Sequence, residues 1–105
     1  MNNETYNRIK AEHPNWSEEQ IWTAVSLDME ADNVITQKGA DIDRNDPEIL
    51  TQIIKRAKEW LSEVLPKIFE KVKVLFSQLL DQLKTWVNAN WHKIIEVIGK
   101  FAYKS

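Results

Sequence analysis

The stretch that decides the fold is residues 46–103, DPEILTQIIKRAKEWLSEVLPKIFEKVKVLFSQLLDQLKTWVNANWHKIIEVIGKFAY, which is more than half of the 105-residue chain. Its apolar residues recur every three or four positions, the spacing of one face of an α-helix. Several come in adjacent pairs, such as Ile53-Ile54 and Leu79-Leu80. The apolar stripe is therefore wider than the narrow seam of a two-stranded coiled coil. Because so wide a stripe must be covered from both sides, the stretch predicts a compact helical bundle.

Two features divide this stretch into three helices. Pro66 lacks a backbone N–H and clashes with the carbonyl one turn earlier, so it predicts a kink or a break near 62–65 that leaves the stripe on the same side. At about 100° per residue, the stripe after Asn90 is rotated by roughly 80° from the earlier one. This rotation predicts a bend at 88–90 with Asn90 as an N-cap. Asp46 and Pro47 have the residue types of an N-cap and first helical position. We expect helices at 47–65, 66–87 and 91–103.

The N-terminal part predicts two more helices, over residues 3–12 and 17–37. The first should stop before His13, because a residue that precedes proline is disfavoured in helical conformation. Ser17 and Gln20 have the spacing of a capping box, which marks the start of the second helix. The apolar pattern weakens near Asp32, so the second helix either breaks there or continues until Gly39.

Together these features predict an all-α fold, a small bundle of about five helices that forms a single domain over residues 1–105. Only two glycines and three prolines are present, which argues against a β protein rich in turns. We expect acidic N-terminal helices in residues 1–38, a loop at 39–45 and basic amphipathic helices in 46–103. In this interpretation the C-terminal helices form the framework, with Trp86 in the core, and the N-terminal helices, with Trp22, pack across them.

The charges divide the chain into an acidic and a basic half. Residues 1–54 carry four Lys or Arg against eleven Asp or Glu, and residues 55–105 carry ten against five. One interpretation is that the two halves pack together with complementary charge. The other is that the basic half binds an acidic partner or an anionic membrane.

The sequence offers little for catalysis or for binding a cofactor. It has no cysteine, two glycines, and two histidines, His13 and His92, that lie far apart in the sequence at positions expected to be exposed. We therefore expect no enzymatic activity and no cofactor. Residues 41–45, DIDRN, match the opening of an EF-hand loop, but Asp46 stands at the sixth position, where the loop needs glycine. Gln52 replaces the bidentate glutamate at the twelfth. We interpret the segment as an acidic linker and expect no metal.

Membranes and nucleic acids are the other partner classes to consider. The longest apolar runs without charge, such as 74–80, are far shorter than the roughly 20 residues that span a bilayer. The N-terminal residues lack the features of a signal peptide, so a cytoplasmic location is expected. The basic residues of the C-terminal half are interleaved with glutamate and include one arginine, so nucleic-acid binding is the least favoured alternative.

The leading hypothesis is a non-enzymatic protein that acts through protein–protein contact or through self-association as a homo-oligomer. Trp60 and Trp91 lie at the edges of the apolar stripe, where a tryptophan either seals a bundle or anchors a partner. The alternative is a protein of the membrane surface, with the basic segment 67–104 lying on anionic lipid. The candidate interaction surface comprises Trp60, Trp91, Ile95, Phe101 and Tyr103.

Overall fold

The computed structural model describes residues 3–39 and 41–101, and five α-helices account for most of them. The predicted all-α bundle is confirmed, and the described residues form no β-strand. Tyr103, with the end of the predicted 91–103 helix, lies outside the described residues. The helices are α1 (Asn3–Glu12), α2 (Glu18–Lys38), α3 (Pro47–Val64), α4 (Pro66–Thr85) and α5 (Trp91–Phe101).

The ends of α2 follow local sequence signals. The backbone N–H of Gln20 donates to Ser17 Oγ at 3.3 Å, and the N–H of Ser17 donates to Gln20 Oε1 at 2.7 Å, so the predicted capping box is confirmed. The helix passes through Asp32 without a break and ends at Lys38. Gly39 follows with φ of 93°, a conformation that other residues adopt only with strain.

The boundary between α3 and α4 is a complete break, the sharper of the two possibilities that Pro66 predicts. Leu65 lies between the two helices in a non-helical conformation, with φ of −132° and ψ of 65°. Proline forces the preceding residue out of the α region and itself suits the first position of a helix, which explains both changes. Because of this break, α3 and α4 can pack against each other.

The other predicted boundaries are also close to the observed ones. Asp46 Oδ1 accepts a hydrogen bond of 2.8 Å from the N–H of Glu48, so Asp46 is the N-cap of α3. The bend at 88–90 is present, and α4 ends at Thr85, two residues before the predicted 87. Asn90 Oδ1 accepts from the N–H of Lys93 at 3.1 Å, which confirms the N-cap of α5.

The centre of the bundle is α2, which contacts each of the other four helices. This differs from the expected framework of C-terminal helices. All eight residues from 20 to 27 are buried, although three of them are polar. Two of these polar side chains bond within the helix: Thr23 Oγ1 donates to the Glu19 carbonyl at 2.8 Å, and Ser26 Oγ to the Thr23 carbonyl at 2.7 Å. Because both hydroxyls have hydrogen-bond partners, Thr23 and Ser26 can be buried without leaving a polar group unpaired. Their small side chains also let the neighbouring helices approach closely.

The apolar stripe of the C-terminal stretch supplies most of the remaining core. Each large side chain buried in this way contributes roughly 1.5–3 kcal/mol relative to exposure. Trp22 is buried as expected, whereas Trp86 is half-buried. The radius of gyration is 13.0 Å, close to that of a typical domain of this length. The fully buried members from α3 to α5 are Leu50, Ile53, Ile54, Ala57, Leu61, Val72, Leu75, Phe76, Leu79, Ile94 and Ile98.

Charge pairing between the acidic and basic halves is sparse. Across residues 3–39 and 41–101, one ion pair joins the halves, Lys71 Nζ to Glu19 Oε1 at 3.1 Å. The other ion pairs of this part of the chain lie within a single half. Most of the charge asymmetry is therefore left on the surface. None of the described helices is both long enough and apolar enough to cross a membrane.

Candidate interaction groove

A groove of about 350 Å³ runs between α1 and α5, with α2 as its floor. It is open to solvent along one side, and most of its wall is apolar or aromatic. We call it the α1–α5 groove. Its lining residues are Arg8, Ile9, Glu12, His13, Trp16, Ala24, Asp28, Trp91, His92 and Ile95.

The turn between α1 and α2 forms one wall. The His13 and Trp16 rings stack with centroids 3.8 Å apart and planes inclined by 6°. Two backbone bonds hold this turn: the N–H of His13 donates to the Ile9 carbonyl at 2.9 Å, and the N–H of Trp16 to the His13 carbonyl at 3.1 Å. The turn therefore presents two stacked aromatic rings to the groove.

The rim of the groove carries a small charge network. Arg8 donates to Asp28 Oδ2 at 2.8 Å and to Glu12 Oε1 at 3.3 Å, so it links α1 to α2. One cation faces two carboxylates, which leaves a formal charge of about −1 at the rim. Arg8 is half-exposed, and such a pair contributes no more than about 1 kcal/mol to stability.

The opposite wall is the first turn of α5, which carries Trp91 and Ile95. Asn45 comes from the loop before α3, and its Oδ1 accepts a 3.1 Å hydrogen bond from the N–H of Trp91. In the same loop, the Arg44 guanidinium lies over the Trp91 ring, 4.7 Å from its centroid. The segment interpreted as a linker therefore holds the N-terminus of α5 in place.

Gln20 holds the other end of α5. Its Nε2 donates to the carbonyl of Ile98 at 3.0 Å and to that of Gly99 at 3.3 Å. The side chain is only 1% exposed. Carbonyls in the last turn of a helix lack intrahelical partners, so this buried amide satisfies two of them. Polar groups from the N-terminal half thus fix α5 at both ends.

The residues of the predicted interaction surface occupy separate places. Trp91 and Ile95 line the α1–α5 groove together. Phe101 lies at the far end of α5, beside two other depressions. Trp60 lies among polar side chains in a depression formed by α2 and α3. Tyr103 lies outside the described residues, so the structure groups two of the five residues.

Sequence reasoning missed the wall opposite Trp91. His92 is exposed, as expected, whereas His13 is half-buried against Trp16. The two histidines, far apart in the sequence, line one groove. No local pattern indicates this, because it depends on the angle at which α1 packs on α2. The candidate surface could have included Trp16 only if that angle had been known.

The chemistry of the groove suits contact with another protein. Aromatic rings and an aliphatic side chain lie at its centre with charged groups at its rim, the arrangement of an interface hot spot. The described ranges contain no cluster of three or more His, Asp or Glu side chains able to hold a metal ion.

Fold and groove together define a small all-α bundle with an apolar groove between its first and last helices. Comparisons of the chain with protein-family models, with curated proteins and with solved structures give no match.

Proposed function

We propose that this chain is a non-enzymatic, protein-binding helical domain whose α1–α5 groove takes an apolar side chain of a partner protein. One observation carries the proposal. Ile94 and Ile98 are fully buried on α5, whereas Trp91 and Ile95 stay partly exposed and line the groove with the His13–Trp16 pair.

The dimensions of the groove favour a projecting side chain over an entire helix. A volume of about 350 Å³ lies near the lower end of the roughly 300–1,000 Å³ of typical ligand pockets. An apolar side chain that enters would bury Trp91, Ile95 and Trp16 further, and it would gain about 25 cal/mol for each Å² of apolar surface removed from water. The Arg8 network would then surround the contact and exclude water, which strengthens the central contacts.

The membrane alternative draws less support from the same structure. It would place the apolar side of residues 67–104 on lipid, but Val72, Leu75 and Leu79 are fully buried in the bundle. The bundle would have to open first. Nucleic-acid binding would rely on the lysines of α4, two of which already pair with carboxylates, Lys71 with Glu19 and Lys73 with Glu70. The cytoplasmic location stays a prediction.

A peptide-display selection with matched variants tests the proposal. Peptides selected on the unmodified protein should bind Ile95→Lys about 30-fold more weakly, because loss of an anchor contact costs about 2 kcal/mol. A lysine at this half-buried position can extend its ammonium group into water, so the fold is retained, as circular dichroism would verify. The control is Val74→Lys, at an exposed valine on α4 away from the groove. Equal binding to both variants would refute the proposal.

A further inference from the structure

We infer that the partner is a second copy of this chain, and that the Val87 side chain of each copy enters the α1–α5 groove of the other. This inference rests on the proposed function of the groove. Val87 is 93% exposed in the turn between α4 and α5, against 57% for Val74 and 41% for Val64. A single exposed valine is common on protein surfaces. Val87 differs from the other exposed valines in its position, because it lies only four residues before Trp91, which forms part of the groove wall.

The projection and the groove lie near the same end of α5, so a two-fold symmetry axis can exchange them. In such a dimer the same patch on both copies forms the interface, and each copy supplies one projecting residue and one groove. A second, shallower depression continues from the groove to Asn90, toward the turn that carries Val87. This depression shares Trp91, His92 and Ile95 with the groove and is bordered by Asn45 and Asn90 on the side of the turn.

The charges around the two features are opposite. On the α1 side, the rim of the groove has one cation, Arg8, for two carboxylates, whereas Arg44 lies over the Trp91 ring on the opposite wall. The turn with Val87 is flanked by Lys84 and by Lys93, whose Nζ lies 5.8 Å from the centroid of the Trp86 ring. Contact between the turn of one copy and the groove of the other would bring positive charge to a negative rim, which favours this orientation over its alternatives.

The wider charge distribution supports the same arrangement. Residues 1–54 have a net charge of −7 (four basic minus eleven acidic residues), and residues 55–105 have +5 (ten minus five). Within the described part of the chain, Glu19–Lys71 is the one ion pair that joins the halves. Packing inside one molecule therefore leaves most of these opposite charges free to meet across a dimer.

Sedimentation velocity of the full chain tests the inference. One valine and one groove from each copy would bury less than the roughly 800 Å² per partner of a stable interface, so we expect a Kd on the order of 10–100 µM. The unmodified protein and Val74→Asp should shift from monomer to dimer as concentration rises from about 5 to 500 µM, which brackets that Kd. Val87→Asp should stay monomeric with an unchanged thermal transition, because its side chain is almost fully exposed. A monomer throughout for the unmodified protein, or an unaffected Val87→Asp dimer, would overturn the inference.

Mixing two defective variants tests the geometry of the contact. Ile95→Lys should also be monomeric, since Val87 would meet a lysine in the groove. A mixture of Val87→Asp with Ile95→Lys should associate again, because one native contact is restored and the other becomes an Asp–Lys pair. Association that recovers only in the mixture, and weakens with added salt, supports the exchange of Val87 between grooves. A mixture that stays monomeric overturns it.

The two proposals fail in distinguishable ways. If the unmodified protein is monomeric at every concentration, but displayed peptides still require Ile95, the second copy is excluded and the groove keeps its protein-binding function. If Ile95→Lys alters neither peptide binding nor self-association, both proposals are wrong.

Discussion

The helices α2 and α5 contribute to this small bundle in different ways. The first has 21 residues, contacts every other helix, and is buried on all sides along residues 20–27. The second has 11 residues, of which Ile94 and Ile98 are buried. Hydrogen bonds from distant side chains, Asn45 at one end and Gln20 at the other, fix its position.

This difference in burial shows which helix keeps apolar surface that a partner protein can reach. Along residues 20–27, α2 is buried on all sides and keeps little apolar surface for a partner, so this part of the helix serves stability. In contrast, α5 rests on a narrow line of buried side chains and keeps Trp91 and Ile95 partly exposed along its flank. Because the flank of α5 buries little apolar surface, the hydrogen bonds at its two ends help to hold the helix in place. The surface proposed for binding is on a helix that contributes only two buried side chains, Ile94 and Ile98, to the core.

The largest expected effect is that of Leu27→Ala, which would test the structural role of α2. Leu27 is fully buried, and a cavity at such a site costs about 2–5 kcal/mol in the free energy of unfolding. A domain of this size has a total of roughly 5–15 kcal/mol, so the loss would be a large fraction. Urea unfolding measures it. The matched control is Leu80→Ala at a half-buried position on α4, and equal losses at both sites would contradict the central role of α2.

A moderate effect is expected for Gln20→Glu, which tests how α5 is held. The carboxylate can still accept the bond from the N–H of Ser17, but it cannot donate to the carbonyls of Ile98 and Gly99. Leaving two buried acceptors without a donor, and burying a carboxylate beside them, should cost at least about 1–3 kcal/mol. Hydrogen exchange should quicken in α5 more than in α3, because α5 opens without global unfolding.

A comparison with Asn45→Ala sharpens this experiment. That variant removes the bond to the N–H of Trp91 and should quicken exchange at the start of α5, at a cost of roughly 0.5–1.5 kcal/mol, as for an ordinary hydrogen bond. If both variants leave the exchange of α5 equal to that of α3, the polar contacts at its ends do not hold it.

The helix boundaries could be predicted because their causes are local. Ser17 with Gln20, Asp46 with Pro47, and Asn90 each act within a few residues, and each lies at the end of a helix in the structure. The central position of α2 could not be predicted from periodicity. Its buried run includes Thr23 and Ser26, which a hydropathy pattern assigns to a solvated face, and their bonds to the helix backbone appear only in the fold.

The groove was half predictable. The edge of the apolar stripe indicated Trp91, and the rotation of the last helix, which was visible in the sequence, indicated Ile95. The His13–Trp16 wall depends on the packing of α1, and the hydrogen bond between Asn45 and Trp91 depends on where the loop meets α5. Both are contacts between residues distant in the sequence, and local patterns hold no information about them.

The smallest effect is expected at Glu19–Lys71, the ion pair between the halves in the described part of the chain. The experiment tests whether this contact of α2 with α4 is independent of the contacts that hold α5. The pKa of Glu19 is lowered from its ordinary value of 4.5, first by a hydrogen bond from its own backbone N–H and then by Lys71. A lowered pKa in the folded state stabilises the protein above about pH 4.5, and this stabilisation is lost as pH falls through the folded pKa. Lys71→Gln should raise the pKa of Glu19 and cost less than about 1 kcal/mol, since Lys71 is largely exposed.

An NMR titration of the Glu19 carboxyl carbon measures this shift, and urea unfolding from about pH 5 to pH 3 measures the stability. The bonds from Gln20 to α5 involve no titrating group, so the exchange of α5 relative to α3 should be the same in Lys71→Gln and in the unmodified protein. If Glu19 in the unmodified protein titrates at or above its ordinary pKa, the proposed electrostatic stabilisation between α2 and α4 is wrong. Faster hydrogen exchange in α5 of Lys71→Gln would show that the Glu19–Lys71 pair and the bonds from Gln20 to α5 are coupled. In that case the bundle as a whole holds α5.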